Sequence, residues 1–176
     1  MTKDIDLPPI TLRYNGLFDF DGLYAAVIDW AKNYGYRWHE KAYKHKVPSP
    51  KGAEHEIEWE ITKEVTEYIS YTISFAVHIW DLREVEVTID GKKKNLSNAR
   101  LYIVMNGKIT PDWQKRFNGG RFIQWMGEKY LKWIGDVDAI YADQLYYRMW
   151  NLHALIKKYF DLQTKKFAYK GYLGEN

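Results

Sequence analysis

Apolar and polar residues alternate almost without a break from Glu54 to Ile79. Odd positions carry His55, Ile57, Trp59, Ile61, Val65, Ile69, Tyr71, Ile73, Phe75, Val77 and Ile79; even positions carry Glu54, Glu56, Glu58, Glu60, Glu64, Ser70, Thr72 and Ser74. A period of two is that of a strand with one buried and one wet face. The pattern predicts two strands, 54–66 and 68–80. Both need their odd residues on the same side, so the pairing sum is even and Thr66-Glu67-Tyr68 is a three-residue turn. A preceding strand, 36–47, enters through Pro48-Ser49-Pro50-Lys51-Gly52-Ala53. A register symmetric about that turn sets His45 opposite Glu56, Tyr43 opposite Glu58, Lys41 opposite Glu60 and Arg37 opposite Glu64, so opposite charges meet on the wet face. On the other face Ala42 meets Trp59, Glu40 meets Ile61 and Tyr36 meets Val65.

Either side of this block the pattern is shorter. Residues 10–14 predict a first strand ended by Asn15-Gly16. Asp19 and Asp21 stand where a helix N-cap belongs, ahead of Leu23, Val27, Ala31 and Tyr34 at helical spacing, and Gly35 closes that helix. After a turn at Asp81-Leu82-Arg83, a strand 84–89 puts Val85, Val87 and Ile89 inward. A hairpin at Asp90-Gly91 sets Lys92 and Lys94 against Ile89 and Val87, so a loop over 90–98 and a strand over 99–105 fit the faces better, with Asn106-Gly107 as the next turn. Thr110-Pro111-Asp112 reads as a helix start. Beyond it the period changes: Phe122, Trp125, Met126, Tyr130, Trp133 and Ile134 form one aromatic helical stretch, Gly135-Asp136 breaks it, and a long helix runs over 137–160 through Ile140, Tyr141, Leu145, Met149, Leu152, Ile156 and Tyr159.

The expected fold is α+β: one domain over 1–176, with a twisted antiparallel meander of about five to seven strands. An early helix and two C-terminal helices pack on one face. Residues 1–9 form a flexible lead and 161–176 a basic aromatic tail. Aromatic residues make up 17% of the chain, including 8 Trp and 15 Tyr, so rings form much of the core and are in excess for surfaces and pockets as well. With no cysteine, disulfides, thiolate chemistry and Cys-based zinc sites are excluded, and a cytoplasmic protein is expected. The net charge of +3 is uneven: residues 1–91 carry −6 and residues 92–176 carry +9.

The order of elements, a first strand, an early helix, a long meander and a long last helix, is similar to the helix-grip arrangement of START-like and Bet v 1-like domains. That resemblance implies a curved sheet wrapped round the last helix and a non-catalytic role in binding a hydrophobic small molecule, a lipid or a protein partner. On this reading the ligand- or partner-binding residues are Trp59, Tyr71 and Phe75 on the sheet, Trp125, Met126 and Trp133 on the aromatic helix, and Tyr141, Met149 and Leu152 on the long helix. A homodimer is one form the partner can take, and no cofactor or resident metal is expected.

Two other readings stay open. Leu17-Phe18-Asp19-Phe20-Asp21-Gly22-Leu23 resembles the first motif of the haloacid-dehalogenase-type phosphatases, which implies Mg²⁺-dependent phosphoryl chemistry with Asp19 as nucleophile, Asp21 as proton donor and Asp136 in the distal acidic motif, beside Asp138 and Asp143, with Lys129 or Lys132 as its lysine. Helix capping uses the same two early aspartates without a metal. Lys92-Lys93-Lys94 with Arg100, and Lys157-Lys158 with Lys165, Lys166 and Lys170, lie near Tyr159, Phe167, Tyr169 and Tyr172. Interleaved cations and rings suit single-stranded nucleic acid or an anionic membrane; a solvated loop and a helix C-terminus are the plainer account. The five histidines, His39, His45, His55, His78 and His153, show no metal-ligand spacing, although His39 and His45 share the expected wet face with Glu56.

Overall fold

The described residues of the computed structural model are 4–49, 52–89, 92–115, 120–134 and 137–160. In chain order they form β1 (Ile5–Asp6), β2 (Ile10–Phe18), α1 (Phe20–Asn33), β3 (Arg37–Ser49), β4 (Gly52–Glu64), β5 (Ile69–Ile89), β6 (Lys92–Pro111), α2 (Arg121–Ile134) and α3 (Val137–Tyr159). All strand pairings are antiparallel, in the order β1-β6-β5-β4-β3. β2 lies against β6 from Met105 to Ser97. β1 pairs with the same strand at Ile109 and Lys108, so Ile5 and Asp6 belong to the sheet and not to a flexible lead. The architecture is α+β, with α1 against β3 and α3 against β6, β2 and α1. Among the described residues no helix is long and apolar enough to cross a membrane.

The alternation from Glu54 to Ile79 forms the strands that it predicts. β4 and β5 pair from Glu64 opposite Ser70 to Glu56 opposite His78, and Val65 N–H and Thr66 N–H both reach the Ile69 carbonyl, leaving a turn at 66–68. The Thr66 hydroxyl accepts from the backbone N–H of Tyr68 and of Ile69, which fixes that turn. Trp59, Ile61, Tyr71, Ile73, Phe75 and Val77 are all buried. α1 is capped as expected: Asp19 accepts a hydrogen bond from Gly22 N–H at 2.8 Å, and Gly35, at φ +71°, follows its last turn. Its inner stripe is Leu23, Val27, Trp30 and Ala31, and the Trp30 indole donates to Asn151 Oδ1 on α3 at 2.8 Å.

Elsewhere the sheet overrides local signals. Asn15-Gly16 is not a turn; β2 runs through it to Phe18 because β6 supplies a partner along its whole length. Asp81 does not end a strand either. It sits at φ +57° in a bulge between Trp80 and Arg83, and β5 continues to Ile89. Ile89 pairs with Lys92 and Val87 with Lys94, so residues 92–98, expected as loop, are strand. Beyond Ser97 no third strand pairs with this ribbon among the described residues, and Lys94, opposite Val87, meets water instead of a core. Asn106-Gly107 lies inside β6, and Pro111 ends that strand instead of starting a helix; Asp112 then turns at φ +53°, its N–H bound to the Tyr68 carbonyl.

The β3–β4 register also differs from the symmetric one. Arg37 pairs with Thr62, Trp38 with Ile61 and Glu40 with Trp59; the register then shifts at Lys41, and Ala42 pairs with Glu58, Tyr43 with Ile57, Lys44 with Glu56 and His45 with His55. The extra residue switches parity, so Arg37, His39 and Lys41 share the wet face with Lys44 and Lys46, whereas His45 faces His55 instead of Glu56. The ion pairs survive the shift because long side chains reach diagonally: Lys41 meets Glu60, Arg37 meets Glu64 at 2.9 Å, and Lys46 meets Glu54 and Glu56 at 3.0 and 2.7 Å.

Candidate functional site

The residues expected to hold a ligand in the interior form part of the buried core. Trp59, Tyr71, Phe75, Met149 and Leu152 are buried in one apolar cluster, and Tyr141 packs against it. The Trp59 ring stands edge-on to Tyr24 at 5.0 Å and tilted to Phe75 at 6.0 Å, while its indole N–H reaches Glu40 Oε2 at 3.3 Å. Glu40 also accepts from the Tyr24 hydroxyl at 2.7 Å; burial first, then this carboxylate, pushes the tyrosine pKa up to about 12. The Tyr71 hydroxyl lies 3.0 Å from both the Tyr141 carbonyl and Gln144 Oε1, and burial raises its pKa. Gly107 shows how close strand and helix come. A Cβ there would run into Met149 Sδ and stand 3.1 Å from Leu7 Cδ1. The fold brings these residues together in one cluster.

The other expected binding residues sit outside the core. Trp125 and Met126 are exposed on α2, with Phe122 at 69% and Ile123 beside them; the side chain of Trp133 lies outside the described residues. The Phe122 and Trp125 rings stack at 5.9 Å, and Lys129 lies 5.7 Å over Trp125. α3 is apolar on two sides. Leu145, Met149, Leu152 and Ile156 face the sheet, while Ile140 at 67%, Tyr147 at 71% and Trp150 face outward.

The phosphatase constellation is not assembled by the described residues. Asp19 follows a strand of an all-antiparallel sheet, where the resemblance implies a parallel one, and one of its carboxylate oxygens caps α1. Asp21 is exposed in the first helical turn, and Asp136 lies outside the described residues. Glu54, Glu56 and His78 bring potential ligand atoms within 4.8 Å of one another on the wet face. Lys46 bonds to both carboxylates, Lys44 lies 3.8 Å from Glu56, and His78 Nε2 lies 2.6 Å from Glu54 Oε1, so two lysines already face the two carboxylates. His78 and Lys46 hold the Glu54 carboxyl below its usual range, and Lys46 does the same for Glu56. On the opposite face of β4 the His55 ring lies 2.6 Å from the Tyr43 hydroxyl and 3.2 Å from His45, and burial lowers its pKa.

A third cluster was not visible in the linear pattern. At one end of the wet sheet face, Arg13 of β2 lies 5.0 Å over the Tyr102 ring of β6, and Arg100 of β6 lies 5.8 Å from the Trp80 ring of β5. His78 stacks on Trp80 at 3.8 Å, and Arg100 Nε donates to Asp81 Oδ2 at 2.8 Å. The registers put these residues in two adjacent rows across the sheet, Arg13-Tyr102-His78 and Asn15-Arg100-Trp80. The signal in the sequence is the even parity of Trp80 and Tyr102 once both strands are known to be continuous; a turn at 81–83 and a loop at 90–98 conceal it.

No protein-family model matches this sequence, and no curated protein matches it either.

Proposed function

We propose that this chain is a non-catalytic binding protein whose partner surface is formed by the exposed apolar side chains of α3 together with those of α2, and that the occupant of that surface is a second copy of the chain. The carrying observation is that α3 is apolar on two opposite sides, with only one of them turned to the sheet. Large apolar side chains clustered on the outward side of a packed helix mark a candidate interaction surface. Seven of the large apolar side chains exposed among the described residues, Phe122, Ile123, Trp125, Met126, Ile140, Tyr147 and Trp150, lie on these two helices. Such rings at a surface are the usual anchors of a protein interface.

The choice of a second copy rests on the order of residues along the exposed stripe, Ile140, Asp143, Tyr147, Trp150, Ala154 and Lys158, all exposed at steps of three and four. Two such stripes crossing antiparallel about Trp150 set Asp143 of one copy against Lys158 of the other, and Tyr147 against the small Ala154. A two-fold interface needs this self-complementarity. The helix-grip likeness is kept within this reading, supported by β2 lying beside the last strand and by the long terminal helix on the sheet; the exposed rings favour a binding surface on the outside of the helix. A cytoplasmic location is part of the same reading, supported by the cysteine-free composition.

Light scattering behind size exclusion, run across a range of protein concentrations, tests it. The expected result is a dimer that Tyr147→Lys and Trp150→Lys each convert to a folded monomer. A wild-type protein that stays monomeric at every concentration overturns the self-association. Co-sedimentation of that monomer with anionic vesicles would assign the same face to a membrane instead.

A further inference from the structure

The wet face of the sheet changes character along its length. At one end β5 presents Ser70, Thr72, Ser74 and Ala76, and β6 presents Thr110, Lys108, Asn106 and Val104, side chains that suit any solvated antiparallel face. At the other end the same two strands present His78, Trp80, Tyr102 and Arg100, and β2 adds Arg13 and Asn15. Helices α1 and α3 pack on the opposite face. The rings and guanidinium groups border a shallow depression of about 490 Å³, lined by Arg13, Tyr14, Asn15, Trp80, Arg100, Leu101 and Tyr102. That volume is within the range of small-ligand sites.

From this arrangement we infer that the Arg13, Arg100, Trp80 and Tyr102 end of the sheet binds a nucleotide: a planar aromatic base carrying a phosphate, free or as one unit of a single-stranded nucleic acid. Two chemical features point the same way. Trp80 and Tyr102 stand on neighbouring strands of a sheet face over which, among the described residues, no helix is seen to pack, the geometry in which aromatic side chains stack unpaired bases. Arg13 and Arg100 flank them, and a guanidinium both stacks on rings and binds phosphate in a two-pronged fashion. Asp81, at the bulge that follows Trp80, holds Arg100 through Nε, so this guanidinium is positioned before any ligand arrives. Cross-strand cation–π pairing would by itself stabilise a wet face, but it needs no depression beside it and no cluster of four such residues at one end.

The surface is distinct from the outer helical face, so loss of self-association and loss of nucleotide binding are separable results. The test uses the full chain in low salt, with a fluorescein-labelled single-stranded RNA 12-mer read by anisotropy and adenosine monophosphate read by calorimetry. The expected outcome is saturable binding of at least one probe, weakened about tenfold or more by Tyr102→Leu and by the double variant Arg13→Gln/Arg100→Gln, as the loss of one stacked base or of the phosphate contacts requires. Lys108→Ala, at the polar end of the same face, leaves the affinity within about twofold. Adenosine monophosphate binding as tightly as the 12-mer identifies a free nucleotide, and binding of the 12-mer alone identifies a single strand. Circular dichroism confirms that each variant is folded; should Tyr102→Leu fail that check, the arginine pair decides. Absence of binding by both probes overturns the inference, as does binding that survives the arginine pair or a labelled duplex that binds as well as the single strand.

Discussion

The two faces of β5 are built from the same strand and have opposite uses. Its odd residues, Tyr71, Ile73, Phe75, Val77 and Ile79, are buried, and their rings close on Trp59 and on α3. Its even residues run from Ser70 to Trp80 and are partly exposed, and there the rings lie against histidine and arginine. An aromatic side chain therefore carries no fixed meaning in this protein. Covered by a helix, Phe75 is packing; half-buried on the wet face and beside the Arg100 guanidinium, Trp80 belongs to the proposed binding surface. The residues with the most obvious apolar periodicity became the interior, and the residues with accessible chemistry lie where the periodicity is least remarkable.

The difference between the faces is open to direct attack. Ile73→Ala, on the covered face, should destabilise the protein by about 2–5 kcal/mol in guanidinium unfolding, because the surrounding β-strands and α3 cannot collapse into the space. A loss below about 1 kcal/mol would mean that the covered face is loosely packed. Gly107→Ala adds one methyl group on the same face, against Met149 and Leu7, and should cost about 1–3 kcal/mol by overpacking, whereas Ala76→Thr on the bare face should change stability by no more than about 0.5 kcal/mol. Equal costs would show that the bare face is covered in solution. Glu58→Ala, exposed on β4, should fall within about 0.5 kcal/mol of wild type.

The finest probe is pH. The His55 ring is 8% exposed on the covered side of β4, and burial, with His45 nearby, lowers its pKa from 6.5; burial and Lys157 act the same way on His153 of α3. A histidine whose pKa falls on folding binds its proton first in the unfolded chain. Stability is then full above about pH 6.5 and declines as pH drops from there toward the lowered native values. Unfolding midpoints measured between pH 7.5 and 5 should show that decline, and His55→Gln should make it shallower. A midpoint that rises on acidification would contradict the burial of both rings.

Much of the fold was legible along the chain. The alternation at 54–79 set two strands, their faces and the three-residue turn between them, since reversing that pattern would place nine buried apolar side chains in water. The cap at Asp19 and the stripe through Leu23 and Val27 set α1 for an equally local reason. Register and continuity were not local. Asn15-Gly16, Asp81 and Asn106-Gly107 all carry turn chemistry, yet each is held in or beside an extended strand that pairs with a neighbour distant in sequence, and residues 92–98 are strand only because 83–89 pair with them. The bulge at Lys41 reversed the parity of half of β3 without any glycine or proline to announce it. The binding surfaces depended on the same long-range pairing: only the completed ladder brings Arg13, Tyr102 and Trp80 onto adjacent strands, and only the packing of α3 decides which of its two apolar stripes is left facing water. Periodicity fixes which side of a strand or helix is apolar, because it follows from backbone geometry. Which apolar side is covered depends on contacts between residues as much as a hundred positions apart, and there the tertiary structure decides.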